Sequence, residues 1–164
     1  MSTPATRPVA VLVGPPGSGK TTVGRLLAAR LDVGWRDTDA DIVTSTGREI
    51  GEIFVDQGEA HFRALERAAV GAAVAEHAGV LALGGGAVLD PETRRLLRDE
   101  RVVFLDVGLA DAVQRVGLGT SRPLLLGNVR SQLKTLLDQR RPFYREVATL
   151  TVDTGGREPD EIAD

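Results

Sequence analysis

Cysteine is absent from the 164-residue sequence. Disulfides and thiolate metal sites are therefore excluded, and the compartment is expected to be reducing or indifferent. Strong charge of one sign is missing too: the formal net charge is −3, so wholesale binding to nucleic acid or to an acidic membrane is not expected. There is no long hydrophobic run. The longest, such as "VAVLV" at 9–13, is far too short to span a bilayer. The opening "MSTPATRP" is short and polar with no apolar centre, and reads as a frayed terminus instead of a signal peptide. The cytoplasm is the default expectation. Internal repeats, low-complexity tracts and dividing linkers are also missing, and the length suits one domain, 1–164, with a single core. His61 and His77 have no second ligand at useful spacing, so no metal or catalytic role is assigned to them.

What is present is an alternation of short β-branched runs and longer helical patterns. Strands are predicted at 9–13, about 34–37, 80–83, 102–107 and 148–153. Helices are predicted over about 20–31, 39–46, 49–57, 59–77, 91–98 and 110–116, with a last one ending near 145. In the first helix, Val23, Leu26, Leu27 and Leu31 follow helical spacing. Asp90 and Pro91 supply a cap and a first-turn proline. Hairpin signals are nearly missing, so the strands should form a parallel sheet covered on both faces through right-handed crossovers. The expected fold class is α/β, three-layer αβα around a parallel central sheet. Ligands of such sheets gather beyond the C-terminal strand ends. Three segments follow strands there: "GPPGSGKT" at 14–21, "DTDAD" at 37–41 and "GGG" at 84–86.

The first of these fits G-x-x-x-x-G-K-[ST] at each fixed position, with a strand before and a helix after. Glycines let consecutive N–H groups face phosphate oxygens, and the helix N-terminus adds a favourable dipole. Lys20 is expected to bridge the outer phosphates and Thr21 to ligate Mg2+. The nucleotide side thus comprises Gly14, Gly17, Ser18, Gly19, Lys20, Thr21 and Thr22. No guanine-reading N-K-x-D occurs, and no long strand ends in D-E as in many ATPase motors. A compact kinase of a small metabolite, with ATP as co-substrate, fits best.

An acceptor site needs groups that hold the acceptor and a carboxylate beside the attacking hydroxyl. Asp37 and Asp39, two apart, share a face if the backbone is extended. One could reach Mg2+ through its water and the other the hydroxyl. Equally, Asp39 could cap the next helix with Asp41 in its first turn; Asp41 is expected to face solvent. Arg63 and Glu66, three apart, could be an ordinary helix-surface pair. Arg122-Pro123 could be a turn, and Arg140 with Arg141 could complement a helix C-terminus. "GGG" could be a tight connection without a ligand. Trp35, Phe104 and Phe143 are expected in the core.

Taken together, "GPPGSGKT", "DTD" at 37–39, "FRALE" at 62–66, "LGGGAV" at 83–88, "SRPLL" at 121–125 and "RRPFY" at 140–144 resemble the shikimate kinase family in order and approximate spacing. The resemblance runs from about Val9 to Asp153. It implies a P-loop fold like that of nucleoside monophosphate kinases and transfer of the ATP γ-phosphate to the 3-hydroxyl of shikimate. Asp37 would assist Mg2+ through water, while Asp39 would bind shikimate hydroxyls and is the candidate base. Arg63 and Arg140 would clamp the carboxylate, Gly84, Gly85 and Gly86 would line the pocket, and Phe54 and Phe62 would wall the ring. Glu66 would orient Arg63. Arg122 would lie on a mobile lid (about 117–128, bracketed by Gly117, Gly119 and Gly127) and reach the transferring phosphate. Arg115 and Arg157 would lie against adenine, and the acceptor region would span about 38–66. Lys20, Asp39 and Arg122 are the implied catalytic set.

The implied partners are small molecules, shikimate and ATP, and the expected state is a monomer. One departure is that the sequence stops at "EPDEIAD", where such kinases continue into a helix; this bears on the adenine side near Arg157. A gluconate kinase-like enzyme and a non-catalytic nucleotide switch are the rival readings.

Overall fold

The run "AVLV" is β-branched and apolar on both sides of its pleat, which suits a central strand of a parallel sheet with both faces covered. It forms β1, Ala10–Val13, buried at each residue. A computed structural model of the chain describes residues 8–15, 18–108 and 126–154. Within them β1 is followed by α1 (Lys20–Leu31), β2 (Trp35–Asp37), α2 (Thr38–Thr46), α3 (Ile50–Gln57) and α4 (Glu59–Glu76). The chain continues through β3 (Val80–Ala82), a 3-10 turn (Ala87–Leu89), α5 (Pro91–Leu97), β4 (Val102–Asp106), α6 (Leu126–Val147) and β5 (Leu150–Asp153).

The five strands form one sheet in the order β2-β3-β1-β4-β5, and all pairs are parallel. Parallel neighbours cannot be joined by tight hairpins, so helices lie on both faces. Alternation along the strands sorts the core. Val11, Val13, Leu81 and Phe104 pack with Val70 and Val74 of α4, Leu97 of α5, and Tyr144 and Val147 of α6. On the other face Leu12, Val80 and Ala82 meet Ala28 of α1, with Leu27 and Trp35 beside them. A separate cluster of Ile42, Ile53 and Phe62 ties α2, α3 and α4 together beside the sheet. The architecture is three-layer αβα.

Most element ends shift by a residue or two from the sequence expectation, and three differences bear on the site. Helix α2 begins at Thr38, directly after β2, because Asp37 itself caps it. The segment after "GGG" is a 3-10 turn before α5. Helix α6 starts at Leu126, so residues 126–128, including Gly127, belong to a helix and not to a lid loop. Pro142 stands inside α6; a proline there removes one backbone donor from the helix ladder.

Candidate active site

The loop after β1 turns on close backbone approaches. A Cβ on Gly14 would lie 2.7 Å from the Leu105 carbonyl oxygen and 2.9 Å from Ser18 Oγ. Gly19 sits at φ 93 as the cap residue of α1, a left-handed conformation that glycine adopts without penalty. Ser18 is buried, and its hydroxyl finds no partner among the described residues. Such an orphan costs on the order of 1–3 kcal/mol unless something bonds it. Lys20 Nζ donates to the carbonyls of Gly14 (2.6 Å) and Pro15 (3.2 Å), so the ammonium is tucked into the loop itself. Burial lowers its pKa to about 8, with Asp39 and Asp37 opposing and Arg140 adding to the shift. Thr21 and Thr22 are exposed on the first turn of α1.

The acidic pentad is not an extended pair. Asp37, in extended backbone, accepts a 2.9 Å hydrogen bond from the Asp39 N–H through Oδ1, and Asp39 lies in the first turn of α2. The helix cap is therefore Asp37, not Asp39, and its second oxygen is not used in that bond. Asp41 does not face solvent freely, since it accepts from Arg36 Nε at 2.6 Å. Arg36 also reaches Glu76 of α4. Thr38, fully buried between the two acids, accepts a 3.3 Å hydrogen bond from the Gly84 N–H. Asp39 has its pKa raised, first by burial and then by Asp37, while Lys20 and Arg63 pull it down. It thus feels both the phosphate-loop cation, Lys20, and Arg63 of α4.

Arg63 and Glu66 project from α4. Arg63 Nη1 donates to Glu66 Oε1 at 2.8 Å, and Glu66 is only 2% exposed. This is a buried pair, not the surface pair that its spacing also allowed. Burial raises the Glu66 pKa, the Arg63 bond and charge lower it, and the nearby Asp39 raises it again; the net direction is upward. The Arg63 guanidinium lies 5.9 Å from the Phe54 ring centroid and 5.4 Å from that of Phe62, and the two rings are 4.6 Å apart.

"GGG" is where these groups converge. A Cβ on Gly84 would fall 2.5 Å from Asp39 Oδ1 and 2.9 Å from Glu66 Oε2, and one on Gly86 would fall 2.5 Å from Arg63 Nη1. Arg140 comes to the same place from α6: its charge acts on Lys20, Glu66 and Tyr144. It forms no ion pair among the described residues, and its Nε is buried without a partner there.

Tyr144 carried no assigned role in the sequence, yet its hydroxyl donates to the Gly85 carbonyl at 2.5 Å. Burial pushes its pKa up to about 12, against the pull of Arg140 and Arg63, so it stays a donor at ordinary pH. The available signal was its place one helical turn after Arg140, on the same face. Arg94 Nη1 holds the Val88 carbonyl at 2.7 Å, and its Nε meets Glu146 of α6 at 3.1 Å, steadying the turn after the glycines. Gly17, Arg115, Arg122 and Arg157 lie outside the described residues, as does the expected helix at 110–116.

A phosphate loop on the central strand faces a compact acid and arginine cluster at the same edge of the sheet. Fold and site define the class: a P-loop phosphotransferase of αβα architecture. The family model described as shikimate kinase matches residues 16–164. A shikimate kinase of Salinispora arenicola is 63% identical, over 95% of this chain and 93% of that protein. One of Salinispora tropica is 64% identical over the same shares, 95% and 93%. Among solved structures, the shikimate kinase from Acinetobacter baumannii in complex with shikimate has a TM-score of 0.88 and 38% identity, covering 96% of this chain and 89% of that one. The chain belongs to the shikimate kinase family. Among the described residues, no helix is long and apolar enough to cross a membrane.

Proposed function

We propose that this chain transfers the γ-phosphoryl group of ATP to the 3-hydroxyl of shikimate, giving shikimate 3-phosphate and ADP, as a cytoplasmic monomer of one kinase domain. The observation that carries the reading is the meeting of Asp39, Arg63 and Glu66 on the glycine turn 84–86, electrostatically coupled to Lys20. Shikimate is an anion with neighbouring hydroxyls. A bidentate guanidinium suits its carboxylate and a carboxylate acceptor suits its hydroxyls.

In this reading Arg63 and Arg140 hold the acceptor carboxylate, and Glu66 fixes the Arg63 fork by its 2.8 Å bond. Phe54 and Phe62 wall the ring. Asp39 accepts the proton of the attacking hydroxyl; its raised pKa brings it nearer to the operating pH, which favours general-base transfer. Lys20 leaves the loop carbonyls for the phosphates as the nucleotide enters, and the Ser18 hydroxyl gains a partner there. Arg122, Arg115 and Arg157 are assigned to the phosphate and adenine sides from sequence resemblance alone.

The donor set fits Mg2+. Thr21 and Asp37 offer hard oxygen ligands, and one Asp37 oxygen is spared by the cap bond. Among the described residues no group of three or more acids or histidines forms a ready metal cage, so the ion would be held largely by phosphates and water, as Mg2+ usually is. Bound there, it would neutralise charge on the nucleotide phosphates.

The test is ADP release measured with shikimate, gluconate and AMP as acceptors. Turnover confined to shikimate is expected. Silence with shikimate and turnover of another acceptor would overturn the substrate assignment, and binding of ATP with no acceptor turned over would leave a nucleotide switch.

A further inference from the structure

The Tyr144 hydroxyl reaches the Gly85 carbonyl across 59 positions of sequence. Its ring is buried and stacks on Phe104 of β4 with centroids 5.0 Å apart, and Phe104 is itself 1% exposed. The sheet therefore gives the hydroxyl a fixed position. The group it holds is the peptide between Gly85 and Gly86, and glycine torsions are the least restricted in a chain. In a trans peptide the C=O and N–H point in opposite directions. Anchoring the Gly85 oxygen on Tyr144 thus turns the Gly86 N–H away from Tyr144. That N–H has no backbone acceptor among the described residues. Gly86 lies directly against Arg63, since a Cβ there would sit 2.7 Å from the guanidinium carbon.

We propose that Tyr144 is a positioning residue for the acceptor's carboxylate: its hydroxyl fixes the Gly85–Gly86 peptide so that the Gly86 N–H joins Arg63 and Arg140 as a third donor to that anion. The proposal rests on the shikimate reading above. It also assigns the end of α6 a double task, because Arg140 and Tyr144 stand one turn apart on the same helix face. The helix that brings the second arginine also sets the backbone donor.

The test is Tyr144→Phe, assayed with shikimate and with its methyl ester, which lacks the anionic charge. The bond to the Gly85 carbonyl is removed, together with the contact to the Arg140 side chain, so kcat/KM for shikimate should fall roughly 3–10-fold through KM. The KM for ATP stays unchanged, and the variant differs little from wild type on the ester. An equal loss on both acceptors, a parallel rise in the ATP KM, or no loss at all would overturn the positioning role. Phe104→Leu removes the platform and leaves the hydroxyl, and it decides the question if Tyr144→Phe does not fold. A loss selective for the carboxylate supports the proposal there, and a uniform loss or none sinks it. Wild-type enzyme silent with shikimate would bring down the substrate assignment itself, a failure seen before any variant is compared.

Discussion

Gly84 has no room for a side chain because Asp39 occupies it: a Cβ there would stand 2.5 Å from Asp39 Oδ1 and 3.2 Å from its Cγ. The carboxylate and the bare backbone define one another's positions. Gly84→Ala should therefore displace Asp39 more than it destabilises the fold. Misplacing a reacting group by about 1 Å can cost on the order of 100-fold in rate. That loss in kcat is the expected result, with ATP affinity retained in a calorimetric titration. A Gly84→Ala enzyme of normal kcat would mean that Asp39 tolerates displacement.

Asp39→Asn preserves shape and removes the proposed base. The expected loss in kcat is roughly 10²–10⁴-fold, while ATP still binds. In the wild-type enzyme the upward shift of Asp39 has a kinetic signature. The carboxylate is needed ionised, so kcat/KM falls as pH drops through its pKa. The midpoint of that acid limb should lie above 3.8, the ordinary aspartate value. Full activity in Asp39→Asn would remove its role as base.

Arg63→Ala removes both a proposed acceptor contact and the partner of a buried acid. The KM for shikimate should rise on the order of 100-fold, with the ATP KM little changed. Glu66 would lose its lowering influence, and its pKa would climb further above 4.5. A carboxyl raised in the folded state binds more protons folded than unfolded between its unfolded and folded pKa values, so stability falls as pH rises through that window. The Tm deficit of Arg63→Ala should accordingly be largest at pH 8 and shrink toward pH 5. A deficit independent of pH would show that Glu66 is not left unpaired.

Lys20 titrates at about 8 in the nucleotide-free loop, whereas binding a phosphate anion favours the ammonium. Protein with neutral Lys20 must take up a proton to hold ATP. Above pH 8, ATP affinity should decline, and binding should be accompanied by net proton uptake. Calorimetry in buffers of different ionisation enthalpy measures that uptake directly. Zero uptake from pH 7 to 9.5 would place the lysine pKa well above this range.

Local patterns carried most of the fold. The strands were legible because continuous apolar runs such as 80–83 and 102–105 have few other uses between helical segments. The phosphate loop was legible because its glycines and lysine are tied by fixed spacing. The acidic pentad was harder. Two aspartates at i and i+2 suit either a strand face or a helix cap, and the choice was made by where α2 begins. Asp41 depends on Arg36, whose side chain is committed to it and to Glu76, forty positions away. The role of Tyr144 was not legible, although its place one turn after Arg140 was, because its partner is a backbone carbonyl 59 residues earlier. Contacts of that kind leave no period and no motif.

The same separation has a consequence during synthesis. The phosphate loop and its lysine lie within the first 21 residues, and the pentad and Arg63 follow early. Arg140 and Tyr144 come from α6, the last helix described, and their contacts reach back to segments made much earlier. Contacts so distant along the chain form late because they require long loops to close first. A growing chain would thus display a phosphate-binding loop well before it could grip an acceptor, and phosphoryl transfer to a substrate would begin only when α6 docks.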